Sequence, residues 1–295
     1  MKLLIKPKAG PSPEDVDEFV KRTLSANFGI NEGDSPGQIK TKLVAIEEMG
    51  GTQLWLDRFL TQDSRMEDIK SAIQDLAMNQ EFKDDPVLIT GPSGTGKELL
   101  AKALHGNRGQ LTANGPDMRG FVAVNCAAIS ETLIESELFG HKRGSFTGAV
   151  EDRKGLLRAV QHGTILLDEI GDLPLGSQAK LLRAVQEREA RPVGDTESYP
   201  ITSRIVCCTK HDLLSMISRR EFREDLYGRL MTFELQTTGL LSRPDDIPLI
   251  LRSLKCPEDR LSIPQEFLDT YVKQFNCRAL QAYVKRMKAW RSLGV

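Results

Sequence analysis

The sequence predicts an α/β fold: a parallel sheet covered by helices on both faces, followed by a small helical lid subdomain. Three observations carry that expectation. Short apolar runs recur, "PVLIT" from Pro86, "GFVAVNC" from Gly120, "GTILLDEI" from Gly163 and "RIVCCTK" from Arg204, and helical patterns separate them. The runs are nearly continuous in apolar residues, as strands buried on both faces require. After Asp245 the strand patterns stop, and helical patterns remain at about 245–254, 264–275 and 277–291.

The elements follow in order. Pro11, Ser12 and Pro13 precede a helix from Glu14 to about Asn27, with Val16, Phe19, Val20 and Leu24 on one face. "NFGINEGDSPGQ" is a turn-rich break. Helical patterns follow at about 37–49, 52–60 and 64–80. Residues 1–60 are too few for a separate domain with a good core, so they are expected to form a helical extension packed on the main one. The α/β core is assigned to 61–242 and the helical lid to 243–295.

Composition narrows the class. The 295 residues suit one large domain or two modest ones, and 40% apolar with 27% charged residues is an ordinary globular balance. Forty Lys and Arg nearly cancel 41 Asp and Glu, so net charge gives no sign of a nucleic-acid protein. Five cysteines form no Cys-x-x-Cys pair, which argues against metal ligation and a disulfide framework and fits a reducing cytoplasm. Cys207 and Cys208 lie in an apolar run and read as core. No stretch approaches the roughly 20 apolar residues of a membrane span, and the N-terminus lacks a signal-peptide core. A cytoplasmic location and no membrane contact are expected.

Two motifs carry chemistry. "GPSGTGKE" comprises Gly91, Pro92, Ser93, Gly94, Thr95, Gly96, Lys97 and Glu98, between a strand and a helix. Its glycines let backbone N–H groups close around phosphates, and the helix N-terminus adds positive potential. Lys97 would reach the terminal phosphates. The general pattern ends in a magnesium-binding Ser or Thr, and Glu98 stands there instead. The second motif, "GTILLDEI", brings two carboxylates out at the carboxyl end of a core strand, where open α/β sheets bind ligands. Asp168 would hold Mg2+, directly or through water, and Glu169 would polarise the attacking water on ATP. A third stretch, "GSFTGA" (Gly144, Ser145, Phe146, Thr147, Gly148 and Ala149), sets an aromatic ring in a polar, cationic loop. Phe146 either packs under the rest of the protein or is held out for a partner.

The nucleotide loop, "VNCAAI", "ESELFGH", "GSFTGA", "TILLDEI", "QAKLLRAVQERE" and "FREDLYGRL" occur in this order. In this the chain resembles the AAA+ domain of bacterial enhancer-binding proteins, which activate sigma-54 RNA polymerase. The resemblance runs from about Ser64 to Arg286. It implies a P-loop NTPase fold and a homo-oligomeric ring, usually a hexamer, with ATP at each subunit interface. The family's loop is usually Gly-Ala-Phe-Thr-Gly-Ala, which makes Phe146 and Thr147 the tip that touches the sigma factor. Asn125 matches the strand Asn that holds the catalytic glutamate, here Glu169, out of line until ATP is set; the alternative is a strand-end Asn satisfied by backbone. Arg223 and Arg229 match arginines that reach into the neighbouring subunit's nucleotide. Six residues apart on a helix, they point in different directions, so one of them is a candidate structural ion-pair former. Arg278 matches the lid arginine of the second sensor, without the family's preceding Trp-Pro-Gly.

Departures from the family pattern matter as well. The first sensor is usually Thr-Asn and here reads Thr209-Lys210. Lys210 either grips the γ-phosphate, weakens the hydrolysis switch or turns to solvent. "TTGLLSRPDD" replaces the family's Pro-Pro-Leu-Arg-Glu-Arg segment. Only "KAWRSLGV" follows the last lid-like helix, too short for a helix-turn-helix, so direct DNA binding within this chain is not expected. Lys285, Arg286, Lys288 and Arg291 read as a solvated helix face. Three functions therefore compete: a sigma-54 activator without its own DNA-binding or receiver domain, a motor of the same lineage acting on another protein (for example a phage-encoded one), and a nucleotide-binding assembly protein with little turnover.

Overall fold

Apolar side chains alternate between the two faces of one sheet, and that alternation builds a three-layer structure. The computed structural model describes residues 51–53, 55–106, 111–112, 115–116, 120–257 and 260–292. The expected helix from Glu14 to Asn27 and the pattern at 37–49 lie outside them.

The main elements are α1 (Ser64–Met78), β1 (Val87–Thr90), α2 (Lys97–His105), β2 (Phe121–Asn125), α3 (Glu131–Phe139), β3 (Thr164–Asp168) and α4 (Leu175–Glu187). Then come β4 (Arg204–Thr209), α5 (Leu213–Ser218), α6 (Glu224–Leu230), β5 (Glu234–Gln236), α7 (Asp246–Ser253) and α8 (Cys277–Ser292). The sheet runs β5-β1-β4-β3-β2 and every pairing is parallel. The four expected strands are present. The fifth, β5, went unread because three residues with one buried, Leu235, leave no apolar run.

Period-two geometry sends successive side chains to opposite faces. Leu88, Ile165, Leu167, Ile205 and Cys207 join one cluster with α3, α4, α5 and α6. Val87, Ile89, Leu166, Val206 and Cys208 join the other with α1 and α2. Trp55, Leu56 and Phe59 belong to this second cluster, so the chain just before α1 packs on the sheet. Asp63 starts α1 by accepting from the N–H groups of Arg65 and Met66, a cap worth about 1 kcal/mol.

A third cluster stands apart from the sheet. Leu240, Ile247, Leu251, Val272, Leu280 and Val284 pack α7, a helical run over 265–275 and α8 together. The middle of that run, Leu268–Val272, is π-wound. Asn276, at φ 49°, turns the chain sharply into α8.

Candidate functional site

The loop after β1 is fixed from several sides. Gly91 N–H donates to Thr209 O (3.1 Å), tying the loop to the end of β4. Gly94 and Gly96 have φ of 75° and 103°. A Cβ on Gly94 would lie 2.3 Å from Phe275 O, and one on Gly96 would lie 2.7 Å from the Phe59 ring. Both the backbone angle and the close approach therefore demand glycine. The Thr95 hydroxyl, buried, shares a 2.7 Å hydrogen bond with that of Thr237, which also donates to Thr90 O.

Lys97 opens α2 and folds back over the loop. Its ammonium donates to Gly91 O (2.7 Å) and Pro92 O (2.9 Å). Burial pulls its pKa down, against the opposing pull of the Cys208, Glu169 and Asp168 groups. An anion entering the loop would offer this buried cation a stronger partner than two carbonyls. Glu98 points along α2 instead, pairing with Lys102 at 2.7 Å.

Asp168 ends β3 and Glu169 follows it. Burial, and then the charge of Glu169, push the Asp168 carboxyl up. Asp168 Oδ1 accepts from the Glu169 N–H (3.1 Å), and Asp168 has no ion pair among the described residues. A half-buried carboxylate without a cation is the oxygen donor that Mg2+ takes. Glu169 sits in the left-handed region (φ 54°). Its Oε2 accepts from the Lys210 N–H (3.2 Å), and Lys210 Nζ stands 3.5 Å from its Oε1. Asn125 lies in register beside Asp168, but its Oδ1 accepts from the Ala127 N–H (2.9 Å). No hydrogen bond joins Asn125 to Glu169 among the described residues.

The lid closes the other side. Arg278 Nη1 donates to Ser93 Oγ (3.0 Å), and the Cys277 N–H donates to Gly94 O (3.1 Å). Asn276 Nδ2 donates to Ser93 O (2.9 Å) while its Oδ1 accepts from Leu240 N–H (2.7 Å). Arg243 and Asp246, 2% and 0% exposed, pair at 2.9 Å. Arg243 also donates to Thr95 O, and Asp246 accepts from Thr61 Oγ1 and the Gln62 N–H. Sequence reading missed Asn276, Thr237, Arg243 and Asp246. The "RPDD" that reads as a degraded segment carries the buried pair.

Arg223 and Arg229 make no hydrogen bond or ion pair with the loop among the described residues. Arg223 precedes α6 rather than lying in it, and its guanidinium clasps Asp225 at 2.6 and 3.0 Å. It is the ion-pair former of the two. Arg229, in the last turn of α6, is exposed, and its guanidinium has no partner among the described residues.

Gly144–Ala149 tips a hairpin whose strands are Gly140–His141 and Arg153–Lys154. The Gly144 N–H donates to Ala149 O (2.8 Å), and the Ala149 N–H to Phe146 O (3.0 Å). Lys142 pairs with Asp152 (3.0 Å) below the tip. Phe146 is half-buried, its ring edge-on to His141 at 4.9 Å between centroids. Thr147 and Val150 are exposed. The Phe146 ring thus leans on its own hairpin rather than on the core.

A Gly-rich loop feeding its lysine into a helix, with an Asp-Glu pair closing the next strand but one, defines the class: an α/β P-loop NTPase. The chain matches the sigma-54 interaction domain over residues 59–236, more than half its length, and belongs to that family, the AAA+ domain of sigma-54-dependent activators. It is 49% identical over 171 residues to transcriptional regulatory protein GlrR of Escherichia coli, covering 58% of this chain and 37% of that protein. Hydrogenase transcriptional regulatory protein HoxA of Bradyrhizobium diazoefficiens is 40% identical over 294 residues, 93% of this chain and 58% of HoxA. The chain thus spans less than two thirds of these curated relatives. NtrX from Brucella abortus, solved in complex with ATP, superposes with a TM-score of 0.62 at 27% identity, over 95% of this chain and 57% of NtrX. No helix among the described residues is long and apolar enough to cross a membrane.

Proposed function

We propose that this chain is an ATP-hydrolysing AAA+ ring motor that acts on sigma-54 polymerase through the Gly144–Ala149 loop, in the cytoplasm. The convergence of Lys97, Asp168 and Glu169 at the carboxyl ends of β1 and β3, with Arg278 reaching the loop from the lid, carries this reading. Residues 91–98 cradle the triphosphate, and Lys97 exchanges two carbonyls for phosphate oxygens. Asp168 would hold Mg2+, which would supply charge neutralisation at the phosphates. Glu169 orients the attacking water and takes its proton. Arg229 of one subunit completes the site of the next, where a cation supplied in trans can raise the rate by orders of magnitude. Arg223, braced by Asp225, sets the start of the helix that presents it. Phe146 and Thr147 meet the sigma factor, and the loop moves with nucleotide state. Residues 61–242 form the motor and 243–295 the lid.

The Lys210–Glu169 pair favours a second reading, an assembly protein that binds nucleotide and turns over little. Steady-state ATP turnover against protein concentration, with Mg2+ and with or without purified sigma-54 factor, separates the two. Turnover per subunit rising steeply with concentration, and responding to sigma-54, is the expected outcome. Bound nucleotide with no turnover at any concentration would select the assembly protein.

A further inference from the structure

We propose that Lys210 is a positioning residue: its ammonium restrains Glu169 until the γ-phosphate of ATP draws it away. This deepens the ATPase reading above and rests on it. Lys210 follows Thr209, the residue that pairs with Thr90 and accepts from the Gly91 N–H, so its backbone stands at the rim of the phosphate loop. From there it engages both oxygens of Glu169, one by its N–H and one by its ammonium. Asn125, in register with Asp168, could restrain a carboxylate only through its amide NH2, and it makes no hydrogen bond to Glu169 among the described residues.

A carboxylate held at both oxygens by an N–H and an ammonium is not free to turn toward an attacking water. The restraint is also reversible by charge. A terminal phosphate is more negative than a carboxylate and attracts a cation more strongly at equal distance. Lysine carries a point charge on a flexible four-carbon stem. Its side chain is 45% exposed while that of Glu169 is 14% exposed, so the lysine is the partner with room to swing. Moving from Glu169 to the phosphate, Lys210 stays paired, and Glu169 is freed only when there is a phosphate to attack. An asparagine in this position has no charge to exchange.

A double-mutant cycle on the full chain tests this. Affinities for Mg-ADP and for the non-hydrolysable Mg-AMP-PNP are measured in wild type, Lys210→Met, Glu169→Gln and the double variant. Glu169→Gln is expected to tighten AMP-PNP binding about threefold, the scale of a solvent-accessible ion pair, and to leave ADP unchanged. That gain should vanish in the Lys210→Met background and survive in Lys210→Arg, which keeps the charge. A gain that persists without Lys210, or an AMP-PNP-to-ADP ratio that Lys210→Met leaves unaltered, overturns the proposal. Wild-type turnover is read separately. Turnover without coupling sinks the restraint alone, and coupling without turnover sinks the ATPase reading alone. Failure to bind either nucleotide overturns both.

Discussion

Two glycine-rich loops in this chain use the same residue for opposite ends. Gly94, in the phosphate loop, has a carbonyl oxygen 2.3 Å from where a Cβ would be, and the lid helix donates to its own carbonyl. Gly148, in the hairpin loop, has a φ of 101° and nothing within 4 Å of that point. The first glycine admits neighbours, and the loop is held by them. The second admits only a backbone angle, and the loop is closed by its own hydrogen bonds. A loop packed tightly by its neighbours and a loop closed on itself can therefore share a composition and differ in what surrounds them.

The largest effect that would sharpen this contrast comes from the buried pair behind the phosphate loop. Asp246→Ala leaves Arg243 charged and buried without its counter-ion, which should cost about 3–5 kcal/mol of stability by chemical denaturation. Gly94→Ala should cost about 3 kcal/mol, combining the backbone angle with a clash that neither the lid nor the loop can relieve. A cost no larger than that of Gly148→Ala would break the comparison. Next, Lys97→Ala should lower ATP turnover by about 100-fold, whereas Phe146→Ala should leave turnover intact and abolish capture of sigma-54 factor. Equal loss of turnover in both would mean that the hairpin loop is no separate part. The smallest effect is Gly148→Ala, about 1–2 kcal/mol from its backbone angle alone, with nucleotide affinity unchanged by calorimetric titration.

What the sequence could announce follows the same division. The strands and the Gly91–Glu98 loop are local: apolar runs and a spacing written in consecutive residues. The family resemblance added the hairpin loop and the arginines. Thr237, Arg243, Asn276, Cys277 and Arg278 anchor the phosphate loop from 140 or more residues away, and no local pattern points to them. Asn276 reads as an ordinary polar residue between two helices until its left-handed backbone aims it at Ser93 and Leu240. Arg243 and Asp246 stand in a stretch that the sequence marks only as a departure from the family pattern, and charged residues are seldom fully buried unless paired. β5 was missed for a different reason: it is short, and its pairing with β1 defines it rather than its own side chains. Arg223 and Arg229 looked alike in sequence and separate only once α6 is seen to begin at Glu224.

The guanidinium of Arg229, without a partner among the described residues, has a consequence for genetics in the proposed ring. A subunit carrying Lys97→Ala spoils its own site, while one carrying Arg229→Ala spoils the site next door. Two variants that are each inactive alone should therefore complement when mixed. In randomly assembled head-to-tail rings about one quarter of the interfaces would pair an intact Lys97 with an intact Arg229. Turnover recovered from two dead proteins would be the signature of a site that belongs to an interface rather than to a chain.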